Sequence, residues 1–443
     1  MSFNHFLFKN IFYLTLKLRR EWFIPYLIEL EKSQYWTSKE LEQHQIARVN
    51  RLLAHAKMNT AYYRDRIPSS ISSLSELTKL PLLDKEEIRN NVNSFMWRKG
   101  LHQRLKTSGG STGAPVTLLK DSVGMAQELA ATWRGYGWAG VNIGDRQARF
   151  WGVPRNNKDK WRAALIDFVC NRQRISAFGY DESYFTQALK SLNFFDPDYL
   201  YGYVSILREF ADFISENADC LPKIRPKAII TTSEILTELD REKLTKVFGS
   251  KVYDEYGCGE IGTITHECEH GSRHINSENM VVEILSDDGS TAGAGEIGEI
   301  VVTDLTNYSM PLIRYRLKDF GTLAGGPCSC GRTLPSLEKI HGRQYDTLAN
   351  SKGKNFHGEF FLYIVEDAKK NLGFQVNGIQ FLQRKDLSIE VRVVCSDKNL
   401  ASLKNFVEGR LKRDFDHSLQ VRFLKTEKIL REPSGKLRVV KRL

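Results

Sequence analysis

The feature that most restricts the fold is an alternation in the middle of the chain. From about 101 to 340, short apolar runs take turns with helical stretches. Ala228-Ile-Ile-Thr-Thr reads as a buried strand, Thr237 to Phe248 as a helix, and Lys251-Val-Tyr as the next strand. This order predicts an α/β body with a substantially parallel sheet. Met280-Val-Val-Glu-Ile-Leu and Gly298-Glu-Ile-Val-Val-Thr, separated by a loop rich in Asp, Gly and Ser, are expected as a paired-strand insert.

The flanks differ in texture. Residues 1–100 are expected to be mainly helical, with Ile46, Val49, Leu52, Leu53 and Ala56 at helical spacing between Leu41 and Ala61. Leu83-Asp-Lys-Glu-Glu-Ile reads as a helix start with Asp84 as its N-cap. After 343, Leu387-Ser-Ile-Glu-Val-Arg-Val-Val and Leu419-Gln-Val-Arg-Phe-Leu alternate like half-exposed strands, with a helix from Leu400 to Arg413 between them. The 443 residues exceed one compact core. The expected organisation is a helical region at 1–100, an α/β body with a β insert at 101–342, and a small α+β domain at 343–443.

The net charge of +11 favours anionic partners, but it is dispersed, without the basic block that nucleic-acid reading needs. Seven Cys, an odd number with no signal peptide, point to a reducing, cytoplasmic setting. Phe6 to Leu18 is apolar-rich, is interrupted by Lys9 and Asn10, and is followed by Arg19 and Arg20. It is too short to span a bilayer. It reads as a helix packed on the body, or as an interfacial helix at the inner membrane face.

The strongest local motif is Lys106-Thr-Ser-Gly-Gly-Ser-Thr-Gly-Ala-Pro115. Gly109, Gly110 and Gly113 permit close backbone approach, so that successive N–H groups can cradle an anion. Thr107, Ser108, Ser111 and Thr112 add hydroxyl donors. The Gly-Lys-Ser/Thr ending of a P-loop is absent. Alone, the motif is equally a polar hairpin loop.

Its order with other motifs is more telling. The loop resembles the Ser/Thr/Gly-rich signature of the adenylate-forming superfamily. Ser233-Glu234 resembles that superfamily's adenine-side motif, and Tyr256-Gly257-Cys-Gly-Glu260 its Tyr-Gly-x-Thr-Glu motif. Tyr315-Arg-Leu-Lys-Asp319 resembles the ribose-binding motif, Gly342-Arg343 the hinge, and Ser434-Gly-Lys436 the C-terminal lysine motif. The resemblance spans most of the chain. It is nearest the phenylacetate–CoA ligase-like branch, which includes CapK-type capsule-polysaccharide biosynthesis proteins. Arg51-Leu-Leu-Ala-His-Ala-Lys-Met-Asn-Thr-Ala-Tyr-Tyr-Arg looks like that branch too.

The resemblance implies a large multi-subdomain body and a mobile C-terminal cap, with the active site between them. It implies a ligase that uses ATP and Mg²⁺ to convert a small carboxylic acid to an acyl-adenylate. The acyl group then passes to the thiol of coenzyme A, or to a sugar or glycan amine or hydroxyl. A carboxylate must approach a polyanion, and two unit charges 4 Å apart at a dielectric near 20 interact by about 4 kcal/mol. Lys436 is the expected point charge that offsets this repulsion, and Glu260 the expected Mg²⁺ ligand. Asp319 would hold the ribose hydroxyls and Arg343 the phosphates or the hinge. Two departures stand out: Gly259 replaces the usual Thr, and Tyr345 the charged hinge residue. They favour an alternative, a catalytically reduced ATP-binding scaffold in polysaccharide assembly.

Three further patterns overlap in 257–274. Gly257-Cys-Gly-Glu-Ile-Gly262 fits G-x-G-x-x-G, but no amphipathic helix follows. His266-Glu-Cys-Glu-His270 fits the zinc-hydrolase pattern H-E-x-x-H, but Gly271 and β-branched residues surround it. Cys268, His274, Cys328 and Cys330 would complete a closed Cys₃His structural zinc site, with His270 the alternative imidazole. The resembled branch carries a similar cluster. Free, reduced cysteines are the competing reading. Trp151, Tyr201 and Tyr203 either line an acid pocket or pack in the core.

Overall fold

The computed structural model describes residues 3–100, 102–107, 116–152, 157–177, 182–217, 224–343, 347–356, 358–374, 376, 378–431 and 437–443. Helices α1 (Phe3–Leu18), α2 (Ile24–Ser33) and α3 (Ser38–Asn59) come first, then α4 (Lys85–Asn90) and α5 (Val92–Phe95). A capping box starts α3: the Thr37 hydroxyl accepts from the Glu40 N–H, and the Glu40 carboxylate accepts from the Thr37 N–H. Leu41, Val49, Leu52, Leu53 and Ala56 form its buried face, as their spacing requires. Asp84 occupies the N-cap of α4, but its side chain makes no cap hydrogen bond; it lies 3.5 Å from Arg316 instead.

Strands β1 (Gln103–Thr107) and β2 (Thr117–Asp121) form an antiparallel ribbon. Asp121 caps α6 (Ser122–Trp138) by accepting from the Gly124 N–H. Strand and helix then alternate: β3 (Gln147–Trp151), α7 (Asn157–Val169), β4 (Arg172–Ser176), α8 (Glu182–Phe195), β5 (Tyr199–Tyr203), α9 (Val204–Glu216), β6 (Ala228–Thr232), α10 (Glu238–Phe248) and β7 (Val252–Cys258). These strands lie in the order β4-β3-β5-β6-β7, all parallel. Every residue of β6 is buried. Phe150, Leu207, Phe210, Ile229, Leu244 and Phe248 belong to the core on one side. Each such side chain contributes about 1.5–3 kcal/mol by leaving water.

Beyond β7 the sheet changes character. It continues with β8 (Gly262–Glu267), β9 (Arg273–Ile275), β10 (Met280–Leu285), β11 (Gly298–Asp304), β12 (Tyr315–Leu323) and β13 (Ser336–Arg343), in the spatial order β7-β8-β9-β13-β12-β11-β10. The β7–β8, β8–β9, β9–β13 and β10–β11 pairs are antiparallel. The parallel arrangement therefore holds for one half of the sheet. The turns after β7 and β8 are too short for the crossover that parallel pairing needs. The expected strand pair at 280 and 298 is present, but as the edge of this sheet and not as a separate insert.

The chain divides into two compact units, one of Met1–Leu317 with Gly321–Lys339, the other of Lys318–Phe320 with Ile340–Leu443. The second contains β14 (Leu348–Ala349), β15 (Asn355–Phe356), α11 (Gly358–Asn371), β16 (Gly378–Gln383), β17 (Ile389–Val394), α12 (Asp397–Asp414), β18 (Val421–Lys425) and β19 (Val440–Arg442). Its sheet runs β18-β17-β16-β19, with β17 and β18 parallel across α12. It has its own core, including Phe361, Phe381, Val391, Leu403 and Leu411.

In the first unit Arg134 of α6 is fully enclosed. It donates to Glu278 Oε1 and Oε2 at 2.5 and 3.1 Å, to Asn276 Oδ1 at 2.9 Å and to the Leu30 carbonyl at 3.1 Å. Ser33 of α2 also donates to Glu278, at 2.7 Å. Removing one partner leaves a buried charge, which costs about 3–5 kcal/mol. Arg134→Met alone should therefore lower the denaturant midpoint more than the double replacement Arg134→Met/Glu278→Leu, as measured by tryptophan fluorescence.

Candidate functional site

The parallel strands β6 and β7 are adjacent, with Thr232 opposite Glu255. Their carboxyl ends thus bring Ser233–Glu234 and Tyr256–Gly257 to one edge of the sheet, where ligands bind in α/β folds. Ser233 has φ +70°, so the chain turns sharply as it leaves β6. Glu234 then reaches the start of α9, accepting from the Ser205 N–H at 2.7 Å and the Ser205 hydroxyl at 3.0 Å. Part of its capacity is therefore structural.

Glu260 sits in the tight turn between β7 and β8. The turn requires Gly257, where a Cβ would lie 2.3 Å from the Gly262 carbonyl oxygen. Cys258 Sγ accepts from the Ile261 N–H at 3.4 Å, in keeping with a place in the turn and not in a metal site. The Glu260 carboxylate is buried and pairs with Lys85 of α4 at 3.0 Å. Lys120 of β2 braces the turn from the other side. It donates to the Ile261 carbonyl at 3.0 Å and to Glu128 of α6 at 2.8 Å. Burial works against the Lys120 charge, but Glu128 and Asp304 overcome it and hold the ammonium above its ordinary value. The three supports, Lys85, Lys120 and Glu128, were not predicted from sequence. They are ordinary charged residues whose contacts with the turn are long-range, and only the run Leu118-Leu-Lys-Asp, with a Lys inside a buried strand, offered a hint.

Other expected site residues are not all brought together. Thr107 ends β1 opposite Thr117 of β2, so paired strands lie on either side of the expected phosphate-loop sequence. Ser108, Gly109, Gly110, Ser111, Thr112 and Gly113 lie outside the described residues, as do Tyr345 and Lys436. Arg343 ends β13, directly after Gly342 at φ +94°, and its side chain is likewise outside the description. Asp319 is buried on β12, in the segment that groups with the second unit. Trp151, Tyr201 and Tyr203 stack on one another, with ring centroids 5.8 and 4.2 Å apart for the two pairs that include Trp151. Tyr203 and Tyr201 both pack in the core, and Tyr201 also lines a cavity and donates to Glu255 at 3.0 Å.

The cysteines and histidines sort cleanly. The β8–β9 hairpin presents Cys268 and His274, and the loop between β12 and β13 presents Cys328 and Cys330. The four ligand atoms lie within 4.8 Å of one another. Cys268 and Cys328 sulfurs are 3.7 Å apart, and His274 Nε2 is 3.2 Å from the Cys330 sulfur. His274 Nδ1 lies 2.9 Å from the Leu334 carbonyl, which orients the ring and leaves Nε2 for a metal. Three soft sulfurs and one imidazole at tetrahedral spacing fit zinc. His270 faces Ser329 at 2.9 Å and is not part of the group.

The zinc-hydrolase reading of His266 and His270 fails on geometry. His266 lies on a strand and His270 in the following turn, so no helix face unites them. His266 is buried under Tyr136, and burial pushes its imidazole down to about 3. Gly135 of α6 leaves room for it, since a Cβ there would meet the ring at 2.1 Å. The G-x-G-x-x-G residues form the β7–β8 hairpin, not a strand-to-helix turn.

No family model matches the chain. The protein CapK of Staphylococcus aureus is 26% identical over 419 residues, covering 90% of this chain and 88% of that one. The phenylacetate–coenzyme A ligase of Thermus thermophilus is 23% identical over 435 residues, covering 91% and 96%. Among solved structures, 2-hydroxyisobutyryl-CoA ligase in its postadenylation state superposes with a TM-score of 0.73 at 16% identity, over 93% of this chain and 91% of that one. Near full-length similarity to such proteins agrees with the ordered motifs on β6, on β7 and in the β7–β8 turn. Over nearly its whole length the chain is thus similar to adenylate-forming ligases, and in sequence it is phenylacetate–CoA ligase-like.

Proposed function

We propose that this protein activates a small carboxylic acid with ATP as the acyl-adenylate and passes the acyl group to coenzyme A. The observation that carries this is the β7–β8 turn, where Glu260 is fixed by Lys85, Lys120 and the glycine backbone beside the carboxyl end of β6. Coenzyme A as acceptor is supported by the phenylacetate–coenzyme A ligase relatives, and by a structural neighbour, 2-hydroxyisobutyryl-CoA ligase, solved with an acyl-adenylate and CoA. The Glu260 carboxylate is a hard oxygen donor of the kind Mg²⁺ takes, one or two at a time, alongside phosphate oxygens. Bound there, Mg²⁺ would neutralise phosphate charge, with Glu260 supplying one oxygen. Ser233, Tyr256 and Gly257 would border the nucleotide, the Ser108–Gly113 loop would hold phosphate, and Asp319 would take the ribose. Arg343 and Lys436 would supply positive charge to the reacting groups. A zinc ion at Cys268, His274, Cys328 and Cys330 would join two loops of the sheet and take no part in the chemistry.

A membrane contact is also supported. Helices α1 and α7 meet through Phe8 and Phe168, whose rings are 5.5 Å apart. They expose Phe6, Leu14 and Leu18 on one and Trp161, Leu165 and Phe168 on the other. Trp161, Leu165 and Phe168 stand at i, i+4 and i+7, and Lys17, Arg19, Arg20, Lys160 and Arg162 flank the patch. Apolar side chains among cations fit an anionic bilayer surface. Among the described residues, no helix is long and apolar enough to cross a membrane.

Three outcomes are expected. ATP–pyrophosphate exchange should appear with at least one acid of a broad panel, and Lys436→Ala or Glu260→Ala should each reduce it by about 10²–10³-fold. Nucleotide binding with no exchange for any acid would favour the scaffold reading instead. Elemental analysis should find about one zinc per chain, and Cys328→Ser should lose it together with thermal stability; metal-free wild-type protein of unchanged stability would refute the site. Vesicles containing phosphatidylserine should sediment the wild type more than neutral vesicles do, and Trp161→Ser/Leu165→Ser should abolish that difference.

A further inference from the structure

Between α6 and the parallel strands lies a cavity of about 280 Å³. Trp133 and Tyr136 of α6, Tyr199 and Tyr201 of β5, and Phe8 and Phe12 of α1 give it aromatic walls. Arg149 of β3 and Arg172 of β4 also line it. So do Glu255 of β7 and Thr263 of β8, the two strands joined by the turn that carries Glu260.

Arg149 is the anomaly. Its neighbours Arg172 and Arg174 share the Asp167 carboxylate, at 3.4 and 2.9 Å. Among the described residues, Arg149 has no carboxylate within ion-pair distance, and its Nε has no hydrogen-bond partner. The guanidinium lies instead against Trp151 and Tyr201, 4.5 and 4.9 Å from their ring centroids. Glu255 does not complete the pairing: one oxygen accepts from Tyr201, and the other faces His266 Nδ1 at 4.0 Å without a hydrogen bond. Gln147 Oε1 and Arg172 Nε are also without partners, so polar capacity is left unused around the whole cavity. A half-buried cation with no carboxylate beside it is under-compensated, and a bound anion relieves it.

We infer that this cavity receives the far end of the acid, and that the acid carries a second anionic group there, held by Arg149. The inference rests on the acid-activating reading above. Glu255 and Thr263 on the cavity wall place it beside the Glu260 turn. The aromatic walls suit a ring or other flat spacer between the two anionic ends. A monocarboxylate would leave Arg149 uncompensated.

The test compares 4-carboxyphenylacetate with phenylacetate and 4-hydroxyphenylacetate in ATP–pyrophosphate exchange, using wild type, Arg149→Met and Arg149→Lys. In the wild type, kcat/KM for the diacid should exceed that for phenylacetate by about tenfold or more, as a charge-assisted hydrogen bond allows. Arg149→Met should remove most of that preference, and Arg149→Lys should keep part of it. The unliganded Arg149→Met protein should melt no lower than wild type, because it loses an uncompensated charge. Equal use of the two acids, a best rate with the 4-hydroxy compound, a preference untouched by Arg149→Met, or a clear loss of unliganded stability in that variant would each overturn the inference. If no acid supports exchange, the acid-activating reading fails separately. Calorimetric binding of 4-carboxyphenylacetate then decides: binding lost in Arg149→Met upholds an anion site in this cavity, and no binding to wild type removes it.

Discussion

A guanidinium cannot be left alone in a protein interior, and Arg134 is the clearest instance of that constraint here. It holds Glu278, Asn276 and the end of α2 around one point on α6. The same helix supplies several of the other supports described above. Glu128 holds Lys120 behind the Glu260 turn, Gly135 admits the His266 ring, and Tyr136 forms cavity wall. Trp138 stands 5.6 Å from the His274 ring beside the sulfur cluster. Fixing α6 through Arg134 therefore fixes the turn, the cavity and the cluster against one another within the first unit.

Charge is managed differently at each of these places. Around the turn, cations and carboxylates alternate: Lys85 with Glu260, Lys120 with Glu128, Lys106 also with Glu128. The low dielectric makes each pair strong only because both members are present. Arg149 breaks the pattern. It is supported by ring faces and not by an acid, an arrangement that keeps its charge available for a ligand.

Much of this was legible in the sequence where the signal was local. β6 and α10 follow from a short β-branched run and a Thr237 cap, and the Tyr256–Glu260 turn from two glycines and a glutamate in fixed order. The Cys/His cluster was legible as a set. His274 was the expected imidazole with His270 the alternative, and what separates them is a strand pairing that puts residue 274 opposite 266 and turns 270 outward. The antiparallel half of the sheet was missed because it too depends on strand pairing. Neighbours such as β9 and β13 are joined by register, not by any periodicity within either segment. Lys85, Glu128 and Arg149 carried no mark at all, since a charged residue gains a role only from what the fold sets opposite it. The phosphate-loop serines and Lys436 rest on motif order alone.

The Lys85–Glu260 pair has a consequence for the sequence of binding events. With its carboxylate already neutralised, the turn offers a bare divalent ion little attraction, and such an ion would meet the ammonium as a like charge. A metal that arrives wrapped in its own phosphates brings negative charge that Lys85 attracts as well. In the proposed role, Glu260 therefore selects the metal–nucleotide complex as the entering species, and an excess of free magnesium would not prime the site. In that role, a single lysine on a short helix outside the signature motifs would set the order of addition.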